Sequence, residues 1–161
     1  MKVYSKTGKL IAIVENQLEP RHIFCASLDE AHLSSVDMRK ALIVSTSMSG
    51  ANLRFVNFYA ASLRGVNLSG ADCTGVNFMR SKLSSLNLEG TRMRNCNFAD
   101  ADIRYCSFRG ADLEGSIFAG VAWKASRKTT LREFFAGAKG TFIFNGKTIR
   151  LPLPRGIHEK L

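Results

Sequence analysis

The sequence lacks long apolar runs and has few residues of the kinds that build metal or catalytic sites. No stretch approaches the roughly 18 apolar residues of a transmembrane helix, and the start lacks the apolar segment of a secretory signal. The four cysteines include no CxxC pair, and the three histidines have no metal-ligand spacing. These absences predict a cytoplasmic protein with reduced thiols in or near its core, and no metal, cofactor, catalytic residue or membrane partner.

Acidic residues are scarce at one end of the chain. The net charge is +10, yet residues 23–123 hold ten basic and nine acidic residues, whereas residues 124–161 hold nine basic and two acidic residues. The middle is therefore nearly neutral at +1, and the C-terminal segment carries +7. Nucleic acid binds such tails through its phosphates, although a solvated charged surface explains the same composition.

The sequence does contain a five-residue repeat that runs from Ile23 to Trp123. Every fifth residue is apolar, a small or apolar residue usually lies two positions before it, and Asn or Asp often stands between the two. A period of five fits neither a helix of 3.6 residues per turn nor a strand with a period of two. It fits a chain that turns a corner every five residues, where Asn, Asp and Gly are favoured.

Several residue types also recur every twenty residues, which is the length of four such sides. The recurring set includes Phe58, Phe78, Phe98 and Phe118, and also Gly50, Gly70, Gly90 and Gly110. A five-residue period does not require these columns, whereas stacked coils of twenty residues place like residues above one another. The sequence thus predicts about five coils spaced about 4.8 Å apart. The phenylalanines form a structural core column, and the glycines occupy one corner, where either positive φ or close packing favours glycine.

The consensus, Ala/Val–Asn/Asp–Leu/Phe followed by two variable residues, resembles the signature of the pentapeptide-repeat family. Examples are Ala51-Asn52-Leu53, Ala71-Asp72-Cys73, Ala101-Asp102-Ile103 and Ala111-Asp112-Leu113. The resemblance covers about 100 of the 161 residues and implies an all-β solenoid, the right-handed quadrilateral β-helix of that family. The period itself indicates four sides but not the hand. We expect a hairpin at 1–22, the β-helix at 23–123 and a basic cap at 124–161.

Both ends of a solenoid need a cover, because each exposes unpaired backbone and apolar core. Two strand-like runs in residues 1–22 predict an N-terminal β-hairpin. Near the C-terminus, the capping box that opens at Thr130 predicts a short helix through about Ala138, and Asn145-Gly146 predicts a β-hairpin. An uncovered end would instead suit a homodimer. The candidate residues for the cap or dimer contact are Trp123, Phe134, Phe135, Phe142 and Phe144.

Outward side chains of the repeat are the candidates for binding. Arginines recur two coils apart on two sides, and such rows bind phosphates or an acidic partner. Arginine is also an ordinary solvated residue on exposed strands, and the nine acidic residues of the body dilute its field. The candidate partner-binding residues are Arg54, Arg94, Arg64, Arg104 and Tyr59.

Three functions are compatible with these features. A filled interior leaves no natural pocket, which favours a non-enzymatic scaffold that binds another protein, and the resemblance adds a bacterial or phage accessory factor acting on a host protein. The resemblance also implies topoisomerase protection by DNA mimicry as an alternative, but those relatives are acidic, unlike this chain. The third function is nucleic-acid binding through the basic tail.

Overall fold

The computed structural model describes residues 2–4, 10–13, 22–124, 135–144 and 146–152. These residues contain eleven short strands and no helix, so none of them forms a helix able to cross a membrane. The strands are β1 (Lys2–Tyr4), β2 (Leu10–Ile13), β3 (His22–Phe24), β4 (Leu42–Val44), β5 (Ser62–Arg64), β6 (Lys82–Ser84), β7 (Asp102–Arg104), β8 (Ile117–Phe118), β9 (Ala122–Lys124), β10 (Gly140–Phe144) and β11 (Lys147–Leu151).

Residues 22–124 wind into a four-sided solenoid of about five turns, as the twenty-residue columns predict. Strands β3 to β7 and β9 form one parallel six-stranded sheet in which each residue pairs with the residue twenty positions further, as Ile23 does with Ile43. Single parallel bridges join the other sides with the same offset, as between Asn57 and Asn77. The prediction of an all-β solenoid is confirmed.

The four sides are named here in chain order. Face one is the six-stranded sheet, from β3 to β9. Face two consists of residues 26–29 and every segment twenty residues further along. Face three begins with residues 31–34 and face four with residues 36–39, each repeating in the same way.

Every corner between residues 25 and 120 has a residue with positive φ, at intervals of five. The predicted glycine corner is confirmed, with φ between 64° and 68° from Gly50 to Gly110. Twelve of the twenty corner residues, however, are not glycine; Phe55, with a φ of 58°, is one of them. A hydrogen bond of 3.1 Å from the Val56 N–H to the Leu53 carbonyl closes that turn, and positive φ at its third residue makes it type II.

Most Asn and Asp residues of the repeat lie along the sides and only Asn95 and Asp100 are at corners with positive φ, which corrects the expectation that these residue types form the turns. The Oδ1 atom of Asn57 accepts a hydrogen bond of 3.0 Å from the N–H of Tyr59, and Asn77 bonds Met79 in the same way. The Asn77 amide also donates to Asn57 Oδ1 at 3.2 Å. These side chains therefore brace the backbone that enters each turn and connect successive coils.

Two side chains from each side fill the interior. The large residues from Leu28 to Phe118 are buried, and so are the small ones from Ala41 to Ser116. The rings of the phenylalanine column stack with centroid distances of 5.4, 4.9 and 4.5 Å and interplanar angles of 10° to 12°. Three of the four cysteines are buried as predicted, whereas Cys25 lies exposed at a corner.

Residues 135–144 continue the stack beyond β9. The N–H of Gly110 donates to the Ala136 carbonyl, and the N–H of Leu113 donates to the Lys139 carbonyl, both at 2.8 Å. Strand β10 then pairs in parallel with β8 and antiparallel with β11, which forms the predicted C-terminal hairpin. At the other end of the chain, β1 pairs antiparallel with β2.

The described part of the predicted C-terminal helix is a turn. Residues 135–137 form this turn, so the helix does not extend to Ala138. Residues 130–134, including Phe134, lie outside the described residues. The buried Phe135 ring lies 5.9 Å from that of Phe108, and the buried Phe142 ring lies 5.2 Å from that of Phe118. The apolar rings of this segment thus pack on the last coil.

Candidate functional site

The five candidate partner-binding residues lie on three different sides of the rod. Arg54 and Arg94 are on face three, Arg64 and Arg104 end strands β5 and β7 of face one, and Tyr59 is on face four. A twenty-residue coil places each arginine pair in one column, as the sequence indicates. A partner that docks on one flat side therefore contacts only part of this set.

The arginines of face three belong to a ladder of ion pairs. Asp72 Oδ2 lies 3.4 Å from Arg54 Nη1 and 3.2 Å from Arg92 Nη1. Two coils beyond Asp72, Asp112 Oδ2 lies 2.8 Å from Arg94 Nε, and Lys139 Nζ approaches the same carboxylate at 3.9 Å. Each carboxylate is shared by two cations, so the charges of face three largely neutralise one another.

Hydrogen bonding keeps this ladder ionised. Partial burial raises the pKa of Asp72, but hydrogen bonds from Thr74 and the nearby Arg92 outweigh burial and leave that pKa lower than usual. The hydrogen bond to Asp112 raises the pKa of Arg94. Opposite charges in register on adjacent strands stabilise a sheet. The ladder therefore favours correct stacking of the coils, including the coil that contains Lys139.

A shallow groove of about 310 Å³ lies beside this ladder. Its floor is the glycine corner from Gly70 to Gly110, and its wall includes Arg92, Asp112 and Lys139. Because both carboxylates of the groove already bind cations, its polar groups mainly satisfy one another.

Tyr59 on face four is held by a neighbouring coil. Its hydroxyl accepts a hydrogen bond of 3.0 Å from Arg80 Nη1, and Arg80 Nε lies 3.7 Å from Asp100 Oδ2. The side chains in the Tyr59 column, continuing through Met79 and Ala99, are partly exposed. Face four therefore presents a mostly uncharged surface.

Face one differs from the other three because its cations are not balanced by acids. It contains four basic residues and only Asp102 as an acid, and all four basic side chains are exposed. Arg104 binds Asp102 with two contacts of 2.6 and 2.7 Å. Within the described residues, Arg64, Lys82 and Lys124 have no carboxylate within ion-pair distance. The sequence analysis did not single out Lys82 and counted Lys124 with the C-terminal segment. Steps of twenty place Lys124 in the column of Arg104 and Lys82 in that of Asp102.

The buried thiols are poor nucleophiles. Burial raises the pKa of Cys96 to about 12 and that of Cys106 to about 11, and it raises the pKa of Cys73 well above its usual value. A thiol that stays protonated at neutral pH does not attack or bind metal readily. Among the described residues, no group of three or more His, Cys, Asp or Glu side chains is placed to hold a metal ion.

A family model described as pentapeptide repeats matches the chain in eight copies over residues 25–58, 46–84 and 81–120. No curated protein sequence matches significantly. Among solved structures, a pentapeptide repeat protein of the Arabidopsis thaliana thylakoid lumen is 26% identical over 59% of this chain and 63% of its own, with a TM-score of 0.38. This chain thus spans less than two thirds of that relative.

Two further solved structures are more distant in sequence. A pentapeptide repeat protein of the cyanobacterium Cyanothece is 15% identical, covering 76% of this chain and 90% of its own, with a TM-score of 0.44. QnrB1, a plasmid-mediated fluoroquinolone resistance protein, is 16% identical, covering 74% and 79%, with a TM-score of 0.33. TM-scores this low support no inference, so the assignment to a family rests on the match of the repeats.

Proposed function

The chain belongs to the pentapeptide repeat family, and from this premise we propose that it is a non-enzymatic scaffold that binds another protein. The family consists generally of non-catalytic scaffolds. The observation that supports the proposal most is the orientation of the side chains within each repeat. Two side chains fill the interior, and the others project from flat faces held rigid by coil-to-coil hydrogen bonds. Such faces suit recognition of another surface better than enclosure of a small substrate.

The proposal extends to the details of the rod. We expect the right-handed winding of the family, and we expect residues 135–151 to act as its C-terminal cap. Hydrogen bonds from the last coil to Ala136, Lys139 and Thr141 support a capping role, because an uncovered end would leave those backbone groups unpaired. β11 is the outermost strand of its sheet, which would also permit a homodimer at this end. A cytoplasmic accessory factor of a bacterium or phage fits these expectations.

Charge decides between the alternatives. Action on a topoisomerase by DNA mimicry, the alternative that the family resemblance implies, requires an acidic surface, whereas this chain has a net charge of +10. Nucleic-acid binding through residues 124–161 is the second candidate because that segment carries nine basic and two acidic residues. A filter-binding titration against salt tests it, and retention that does not fall as salt rises would exclude it.

Photo-crosslinking from each face tests the scaffold proposal. A crosslinking amino acid would replace one outward residue per face in separate proteins, at Ser84, Ser69, Thr74 and Ala99 for faces one to four. Crosslinking would be carried out in the native host, with identification by mass spectrometry. We expect one protein to be crosslinked repeatedly from one face and only weakly from the opposite face. If no face yields a repeatable protein, the scaffold proposal is wrong.

A further inference from the structure

The net positive charge of the β-helix is confined to one of its four sides. Residues 23–124 contain eleven basic and nine acidic residues. Face one carries four of the basic residues and one of the acidic ones, a net charge of +3. The remaining faces and corners together hold seven basic and eight acidic residues, a net charge of −1. Near-neutrality of the whole body therefore conceals a strongly basic side.

Face one has one register pair of opposite charge, Lys82–Asp102, but its other charges do not serve the stability of the sheet. Arg104 and Lys124 are register partners on adjacent strands, and like charges in that position are destabilising. On face three, by contrast, the register pairs Asp72–Arg92 and Arg92–Asp112 alternate in sign. Face one does not extend its Lys82–Asp102 pair into such a ladder, because the next register partner of Asp102 is Ala122.

The uncommitted cations of face one are close enough to act together. Arg64, Lys82 and Lys124 lie on strands β5, β6 and β9, which span four consecutive rungs of the sheet. With adjacent strands about 4.8 Å apart, these rungs extend about 14 Å along the rod. Arg64 and Lys82 are on adjacent rungs, within about one Debye length, 8 Å at physiological salt, whereas Lys124 is two rungs, about 10 Å, beyond Lys82. The fields of the three cations therefore overlap.

We propose that face one, at Arg64, Lys82 and Lys124, is the docking surface for an acidic, extended segment of a partner protein. The proposal rests on the scaffold function and specifies the chemistry of its partner. Same-side residues of an extended peptide are about 7 Å apart, so about three carboxylates would match the 14 Å row. Duplex DNA presents one phosphate charge per about 1.7 Å of its length, or about eight over this row. Three cations on face one match the roughly three carboxylates of the peptide, but not the roughly eight phosphates of a duplex.

Lys124 also contributes an aromatic neighbour to the surface. Its Nζ atom lies 5.9 Å from the centroid of the Tyr105 ring, and this ring is 50% exposed at the adjoining corner. An exposed aromatic ring beside cations offers apolar contact in addition to charge, as is common at the centres of protein interfaces. A peptide that places an apolar residue after its acidic ones would therefore fit the C-terminal end of face one.

Fluorescence anisotropy with a labelled twelve-residue peptide of alternating Glu and Ser tests the surface. The test variant combines Arg64→Ser, Lys82→Ser and Lys124→Ser. The control combines Arg54→Ser, Arg92→Ser and Arg94→Ser, the same charge change on face three, the opposite side of the rod. We expect about tenfold weaker binding in the test variant and less than about threefold in the control. Far-UV circular dichroism checks that both variants keep the solenoid.

Two outcomes overturn the proposal. Equal losses in the two variants would show that only net charge matters, and tighter binding of a single-stranded oligonucleotide of equal charge, lost in the face-one variant, would identify nucleic acid as the ligand. Photo-crosslinking with the face-one variant separates the two levels of the argument. If the face-one variant still crosslinks the partner, face one is not the docking surface, but the scaffold function stands. If the wild-type protein crosslinks nothing, the docking surface and the scaffold function are both wrong.

Discussion

Phe98 occupies the centre of the phenylalanine column, and its replacement by alanine tests the packed interior most sharply. Its ring lies between those of Phe78 and Phe118, with centroid distances of 4.9 and 4.5 Å, and it meets Phe108 edge-on at 5.9 Å. Removing a buried Phe side chain costs about 3–5 kcal/mol, and each aromatic pair lost adds about 0.5–1.5 kcal/mol. Because three pairs are lost, we expect about 5 kcal/mol or more, comparable to the whole stability of many domains.

Urea unfolding followed by far-UV circular dichroism measures this loss, provided that the slope of the transition stays unchanged. The matched control is Phe55→Ala, which removes the same atoms from a ring that is 56% exposed at a corner. Phenylalanine and alanine are similarly strained at the positive φ of this position, so we expect a loss below about 1 kcal/mol. Equal losses for the two substitutions would refute the stacked interior.

Three further predictions follow from single residues. Gly140→Ala should destabilise the C-terminal hairpin because its Cβ would lie 2.5 Å from the Glu114 backbone nitrogen, whereas Gly146→Ala, also at positive φ, has open space; equal melting temperatures would contradict this. Maleimide labelling of the native protein should modify only Cys25 among the four thiols, and labelling of a second thiol at a similar rate would oppose this. The pKa of Asp72 is lowered in the folded protein, so its carboxylate contributes stability that is lost as pH falls below the unfolded value of about 3.8. Asp72→Asn should therefore reduce the fall in the free energy of unfolding over this pH range, and parallel curves for the two proteins would argue against this.

The corners show where the sequence stops being informative about the fold. The columns through Phe98 and Gly90 indicate a coil of twenty residues, because interior and corner each restrict which residues fit. Twelve corners nonetheless have residues such as Lys40 and Tyr105 at positive φ, which local propensity disfavours. Hydrogen bonding with the coils above and below imposes this conformation, and no single repeat carries that information.

The ion pairs of face three escaped the sequence analysis for a similar reason. Arg54 binds Asp72 and Arg94 binds Asp112, in both cases eighteen residues away. A search for recurrence at twenty finds residues that stack directly, but these pairs are diagonal, one coil up and two residues back. The arginines therefore looked like a free basic row, whereas the carboxylates of the next coil already bind them.

The same geometry explains why the location of charge on this rod is informative about a partner. The interior and the corners are constrained by folding, so a substitution there changes stability first. The outward positions are constrained far less, since solubility depends on net charge and not on the side that carries it. On face three, the sign alternates along the Asp72 column, and stability alone explains that pattern. On face one, Arg104 and Lys124 are adjacent despite their repulsion, and folding does not account for that choice. The proposed acidic partner would account for it.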